Sequence, residues 1–379
     1  MNIKPYMTRT VKITCFLLTV IFSVAFLQSY ALRRLDNNST RIRGYYQEPS
    51  DSLDVVFIGA SDIYTSFSSV YAYEKFGFTS YPYASESITA DGTLTVLKEV
   101  LRTQNPKLIV IEVNAFLYGK SENEQNEAHL HKLLDNIPLN QNKAEYVSKY
   151  IPSDEQIEYY LPLIKYHGMW NDYPKPARMA VSTILQDIRG YSYLKGFRTT
   201  TDIYSGSEVI LNDKVAKDDT AYALNRELEE KLYDLMNFCK DQKLENVVFL
   251  RSPHIVYKNT HNRSRRANRA GEIINSYGYD FLNIERDIAK TGIDVKTDFY
   301  NLDHMNIYGA IKFTEYLGNI LQNDYAVSPK KLSDDQKKQW DESIGYFEKL
   351  RLYCDDLIKN HTVVKIEEDI NTLNAIKKY

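Results

Sequence analysis

Ser61 and His304 are the two residues of this chain whose settings best suit nucleophilic chemistry. A serine hydroxyl attacks a carbonyl only when a base removes its proton. Histidine is the usual base, because its pKa lies near working pH. Ser61 follows the apolar run DVVFIGA, Asp54 to Ala60, and so stands where a buried strand ends. His304 is one of seven histidines and lies in DFYNLDHMNIYGA, Asp298 to Ala310, a polar loop before a helix. In a doubly wound sheet the loop before the last helix returns to the edge where the first strand ends, which would bring His304 toward Ser61. A catalytic serine also needs donors for the developing oxyanion. The candidates are the N–H of Ser61, the Asn114 amide just past the second strand, and the small-residue loop around Ser85.

The elements that must position these groups are legible as an alternation. DVVFIGA (Asp54 to Ala60) gives the first strand, LIVIEV (Leu108 to Val113) a second, NVVFLR (Asn246 to Arg251) a third and YDFLNI (Tyr279 to Ile284) a fourth. Helical periodicity places helices at Ala90 to Thr103, Ala221 to Lys243, Asn262 to Tyr277 and Asn306 to Leu321, the last with Ala310, Phe313, Leu317 and Ile320 inward. Strands alternating with helices predict a three-layer, flavodoxin-like, doubly wound parallel sheet. Ligands then bind beyond the carboxyl ends of the strands, where Ser61, Asn114 and Arg251 all fall.

Four stretches complete the organisation. Ile13 to Leu32 is uncharged and long enough to span a bilayer core of about 30 Å. No clear small-x-small cleavage site follows it, which favours an uncleaved anchor with the bulk of the chain outside the cytoplasm. Residues 1–35 are then a cytoplasmic stub and transmembrane anchor, and the polar segment 36–52 reads as a linker. Residues 53–325 form the α/β domain, interrupted at about 120–215 by an inserted helical lid subdomain too long to be a connection. Residues 326–379 are a charged helical tail.

Composition bounds the chemistry. A net charge of -3 offers no broad basic field for nucleic acid. Three separated cysteines give neither metal-ligand spacing nor a disulfide framework. No phosphate-binding loop or dinucleotide fingerprint is present, and His129-Ala-Leu-His131 lacks the H-E-x-x-H pattern, so no metal or cofactor is expected. The 31 tyrosines could stack on sugars or simply pack. Arg251, His254, His167 and Trp170 are weaker candidates for substrate contacts, and Arg263, Arg265, Arg266 and Arg269 could face an anionic glycan or solvent.

GASD at Gly59 to Asp62 resembles the first block of the SGNH/GDSL hydrolase superfamily. IGASDIYTSF followed by LKEVLRTQNPKLIVIEVNAF is similar to its cell-envelope branch, the DltD-like and polysaccharide O-acetyltransferase-like proteins. The resemblance covers about residues 54–114 and 246–321. It implies Ser61 as nucleophile, His304 as base, and Asn114 with Ser85 near the oxyanion positions. The chain departs from the pattern in lacking the G-x-N-D block and the block-two glycine, and in carrying Asn301, not Asp, three residues before His304. The group orienting the imidazole is thus Asn301, Asp298 or Asp303. The implied activity is a membrane-anchored, extracytoplasmic serine esterase or O-acyltransferase acting on a cell-surface polysaccharide or teichoic acid, with an integral membrane acyltransferase as a candidate partner. The alternative is a catalytically weakened relative that binds glycan or scaffolds a membrane acylation complex.

Overall fold

The computed structural model describes residues 4–119, 126–168 and 175–379. A five-stranded, wholly parallel sheet forms its centre: β1 (Val55–Gly59), β2 (Ser80–Ala84), β3 (Leu108–Glu112), β4 (Val247–Arg251) and β5 (Asp280–Asn283). Their order across the sheet is β2-β1-β3-β4-β5. β1 shows why such strands read as unbroken apolar runs. Val56 and Ile58 pack into one core and Val55 and Phe57 into the other, so both faces are covered.

Helices α1 (Lys4–Tyr30), α2 (Asn37–Gln47), α3 (Ser61–Tyr64), α4 (Ser69–Phe76) and α5 (Ala90–Thr103) come first in the chain. α6 (Arg226–Asp241), α7 (His261–Ser276), α8 (Ile307–Asn323) and α9 (Asp334–Lys359) follow the insertion. α5, α6 and α7 cover the sheet through Leu97, Val100, Leu232, Leu235, Ala270 and Ile274. The opposite face meets Phe67, Ala72, Phe313, Leu317 and Leu321 of α8 and the region around α4. In α8 it is Leu321 that is buried, while Ile320 is half-exposed. The tail packs outside this layer, with Tyr346, Phe347 and Leu350 of α9 against Val70 and Ile307. A short antiparallel pairing of Thr199–Thr200 with Lys365–Ile366 ties insertion to tail.

One strand was not foreseen and one expectation needs correction. β2, SYPYA, escapes a periodicity reading because Pro82 interrupts it; the strand lies at the sheet edge, where a missing N–H is tolerated. The segment 36–52, read as a linker, instead contains α2, most of which is buried. Its polar residues are held inside by specific bonds: Asp36 and Ser39 form a capping box, and Asn38 donates to Ser85 Oγ at 3.2 Å and to the Lys132 carbonyl at 2.7 Å. Tyr45 packs on Tyr83 at 4.3 Å and on Tyr81 at 5.7 Å between ring centres. Here tyrosine is a core residue. The insertion is largely helical over its described parts, with helices at Glu127–Leu134, Gln141–Tyr150 and Lys175–Arg189.

Candidate active site

Two close approaches set up the carboxyl edge of the sheet. At Gly59 a Cβ would stand 2.8 Å from Glu112 Cβ, so only glycine lets β1 and β3 close there. Ser61 follows, opening α3, and neither its N–H nor its hydroxyl has a hydrogen-bond partner among the described residues. At Gly309 a Cβ would lie 2.2 Å from the Asp298 carbonyl oxygen, so glycine lets the start of α8 tuck under the preceding loop. Asn306 caps α8, donates its own N–H to the Asp298 carbonyl at 3.0 Å and gives its amide to the Thr297 carbonyl at 2.7 Å. Buried Phe299 and Met305 form a bridge, and Tyr300 N–H donates to the His304 carbonyl at 3.0 Å. The loop tip is thereby fixed, with the Tyr300 and His304 rings stacked 5.4 Å apart.

Ser61, Asn301 and His304 line one cavity of about 500 Å³, together with Arg34, Asp36, Asn37, Asn38, Arg41, Tyr64, Glu86, Ser87, Lys132, Arg198, Tyr300, Lys365 and Glu367. Five cationic side chains face three carboxylates there, and the walls are mainly polar. Of the three possible orienting groups, Asn301 meets the imidazole: its Oδ1 lies 3.0 Å from His304 Nδ1. Asp298 turns to Lys312 at 2.7 Å, and Asp303 toward Arg263 at 3.5 Å. Asn301 Oδ1 also accepts the N–H groups of Asp303 and His304, so it is the amide oxygen and Nδ1 is the donor. Nε2 then carries the lone pair, and it is buried with no partner among the described residues. Burial lowers the His304 pKa against the opposing charges of Asp62 and Asp303, keeping the ring neutral.

Asn114 is taken up elsewhere. It belongs to a closed buried ring at the carboxyl ends of β1, β3, β4 and β5. Asn114 Nδ2 donates to Asp62 at 2.7 Å, and the other Asp62 oxygen meets His254 Nε2 at 3.2 Å. His254 Nδ1 meets Glu285 at 3.0 Å, Arg251 donates to Glu285 at 2.8 Å, and Arg251 returns to Asn114 Oδ1 at 2.7 Å. Glu112 accepts the Asn114 N–H at 2.7 Å. Burial and the Arg251 charge work against the His254 cation, but hydrogen bonds to Asp62 and Glu285 outweigh them and carry its pKa to about 9. Burial raises Asp62 and Glu285, yet His254 and Arg251 hold both below the ordinary carboxylate range. Glu112, buried beside the Asp62 charge, is pushed up to about 8. With Glu112 protonated, two carboxylates balance two cations, which keeps the buried cluster neutral.

Ser85 is also occupied, its N–H by the Gly59 carbonyl at 3.2 Å and its Oγ by Asn38. Arg251 and His254 are thus members of the buried ring and do not line the cavity. His167 is exposed and outside the cavity, and Trp170 lies outside the described residues. Of the basic cluster, Arg265 pairs with Asp218 at 2.8 Å, Arg269 with Glu229 at 2.8 Å, and Arg266 donates to the Leu117 carbonyl. Among the described residues one set of metal-type ligands converges, Glu127, His131 and Glu158, and the Lys165 ammonium pairs with both carboxylates. Sequence reading missed the cavity residues contributed by α2 and the roles of Asp62, Glu112 and Glu285. The signal for the last three was a charged residue at or just past the end of an apolar strand.

The molecule is therefore a mixed α/β protein with a central parallel sheet and one N-terminal helix, Arg9–Tyr30, long and apolar enough to cross a membrane. No family model matches the chain, and no curated protein matches it.

Proposed function

We propose that the protein is a membrane-anchored serine esterase or O-acyltransferase of the SGNH type, with a flavodoxin-like sheet and its catalytic domain outside the cytoplasm. Its substrate is an acylated cell-surface glycan or teichoic acid. The observation that carries this reading is the shared cavity of Ser61 and His304, with His304 Nδ1 occupied by Asn301 and Nε2 unpartnered. His304 Nε2 takes the Ser61 proton as Oγ adds to the acyl carbon. The Ser61 N–H receives the oxyanion, and the imidazolium returns its proton to the leaving alcohol as the tetrahedral adduct collapses to the acyl-serine. Water as the second acceptor gives hydrolysis, and a glycan hydroxyl gives transfer. Asn301 brings orientation without charge, and the nearby Asp62 carboxylate favours the imidazolium. The sheet order β2-β1-β3-β4-β5 supports the flavodoxin-like assignment.

A fluorophosphonate probe on the full chain in detergent tests the reading. Labelling of the wild type that disappears in Ser61→Ala supports it, and no labelling at any pH removes it. One observation favours a second reading, a glycan-binding or scaffolding protein. The Asn114 amide donates to Asp62 and the Ser85 N–H to the Gly59 carbonyl, so of the backbone N–H donors expected at the oxyanion the one left free among the described residues is that of Ser61. Glycan binding by a chain that never labels would select that reading.

A further inference from the structure

The helix Lys175–Arg189 packs in an inverted sense. Its inward face carries Ser182, Thr183 and Gln186 beside a single large apolar residue, Met179, all buried, and Gln186 donates to the Thr40 carbonyl at 3.0 Å. Its outward face carries Val181, Leu185 and Ile188, which are 43%, 39% and 78% exposed. A helix covered by water on its outer side has the opposite arrangement. A contiguous apolar stripe of this kind marks a surface that something else covers.

The same helix holds the end of α1. The Tyr30 hydroxyl donates to Asp187 at 2.6 Å, and Arg43 pairs with that carboxylate at 2.7 Å. Arg33 donates to the Asp135 carbonyl at 3.0 Å, and Leu139, four residues further on, is 71% exposed. The exposed stripe thus adjoins the residues that fix the base of a helix whose apolar window is itself 0% buried. One apolar medium covering both surfaces accounts for both.

We propose that the outward face of helix 175–189, with Leu139 as a second contact, rests on the lipid bilayer that α1 enters. Arg178, on the same outward face, stands 3.9 Å from Asp369 yet keeps its side chain 56% exposed, so its guanidinium can also meet an anionic headgroup. The domain then lies against the membrane and does not swing on a tether. Arg34 lines the Ser61 cavity and follows Tyr30 by four residues, a chain reach of at most about 14 Å. The cavity stands at headgroup level, so the acyl donor or glycan it takes is one presented at the membrane surface. That substrate class rests on the esterase or acyltransferase reading, whereas the docking rests only on α1 entering the bilayer.

The test uses the full chain in phosphatidylcholine–phosphatidylglycerol vesicles with a polarity-sensitive NBD label. Val181→Cys, Leu185→Cys and Ile188→Cys are made in a Cys15→Ser background, since Cys239 and Cys354 are buried. Exposed Asp241, at the opposite edge of the sheet, serves as Asp241→Cys for a water-facing control, and native Cys15 reports on α1. The expected result is quenching by headgroup-proximal spin-labelled lipid at least threefold stronger at 181, 185 and 188 than at 241, with shielding from aqueous iodide. Iodide quenching equal to that at 241, with Cys15 still quenched by lipid, overturns the docking and leaves the anchor standing. Shielding from iodide without lipid quenching indicates a second copy of the chain and also overturns it. Failure of lipid quenching at Cys15 overturns anchor and docking together.

Discussion

His304 and Asn301 are joined twice: Asn301 Oδ1 receives both the imidazole Nδ1–H, at 3.0 Å, and the backbone N–H of the same histidine, at 2.9 Å. The ring is therefore oriented by a turn that its own backbone closes. A neutral amide fixes the tautomer but adds no charge to stabilise the imidazolium.

Asn301→Asp supplies that charge. The His304 pKa rises from its burial-depressed value, and the acid limb of the pH–rate profile for an aryl ester moves to higher pH. On the proposed mechanism the wild-type limb is expected below the ordinary histidine value, because burial lowers the His304 pKa. Asn301→Ala frees the ring and lowers kcat by about 10²- to 10⁴-fold. Profiles that coincide in all three proteins would show that His304 is not the base.

Gly309→Ala probes the loop without touching a reacting group. The added Cβ meets the Asp298 carbonyl and pushes the segment carrying Asn301 and His304 away from α8. Displacement on the order of 1 Å costs about 10²-fold in rate. Turnover should fall by that order while thermal unfolding shifts by only a few degrees. Unchanged turnover would mean that the loop position does not limit the reaction.

Three of the five central strands were legible because both faces of each are apolar, as in Val55–Gly59 and Leu108–Glu112, and the half-buried edge strand Asp280–Asn283 was legible from its short Phe-Leu centre between helices. β2 was not, since Pro82 and its tyrosines carry no buried-strand signature. α2 was hidden for a related reason: NNSTRIRGYYQ gains its burial through hydrogen bonds such as those of Asn38, which hydropathy does not register. At the site, Ser61 and His304 followed from chain order and strand ends. Asn114 and Arg251 were visible as polar residues at those ends, but their roles depend on which partners the sheet order sets opposite them. That Asn114 meets Asp62 and Arg251 meets Glu285 is a product of tertiary arrangement.

The buried ring makes stability depend on pH in a definite direction. His254 has its pKa raised to about 9, so its contribution is complete below about 6.5, the unfolded value, and vanishes as pH rises through about 9. Glu112, raised to about 8, acts with the same sign: folding prefers its protonated form, and that advantage is lost as pH rises from about 4.3 through about 8. Asp62 and Glu285 are depressed, so their contribution holds above about 4 and is lost as pH falls. The melting temperature should therefore be highest near pH 5 to 6 and decline toward pH 9. Glu112→Gln, which fixes the neutral form, should flatten the decline up to pH 8. A wild-type profile that is level from pH 5.5 to 9 would contradict the charge assignment.

Asn114 offers the sharpest separation between structural and chemical roles. As an oxyanion donor, its loss would lower kcat by about 10²- to 10³-fold and leave stability nearly intact. As a ring member it bonds Asp62 with its N–H and Arg251 with its oxygen. Asn114→Ala then strips one bond from each of two buried charged groups and costs roughly 2–4 kcal/mol. Thermal unfolding should register that loss as a melting point lowered by several degrees, and phosphonate labelling of the folded fraction should stay within about tenfold of wild type. Asn114→Asp separates the two bonds, because it keeps an oxygen for Arg251 but sets a second carboxylate against Asp62. It should be less stable than the alanine variant at pH 8 and recover as the pH is lowered toward 5. A stable Asn114→Ala that labels a hundredfold more slowly would return this residue to the oxyanion site.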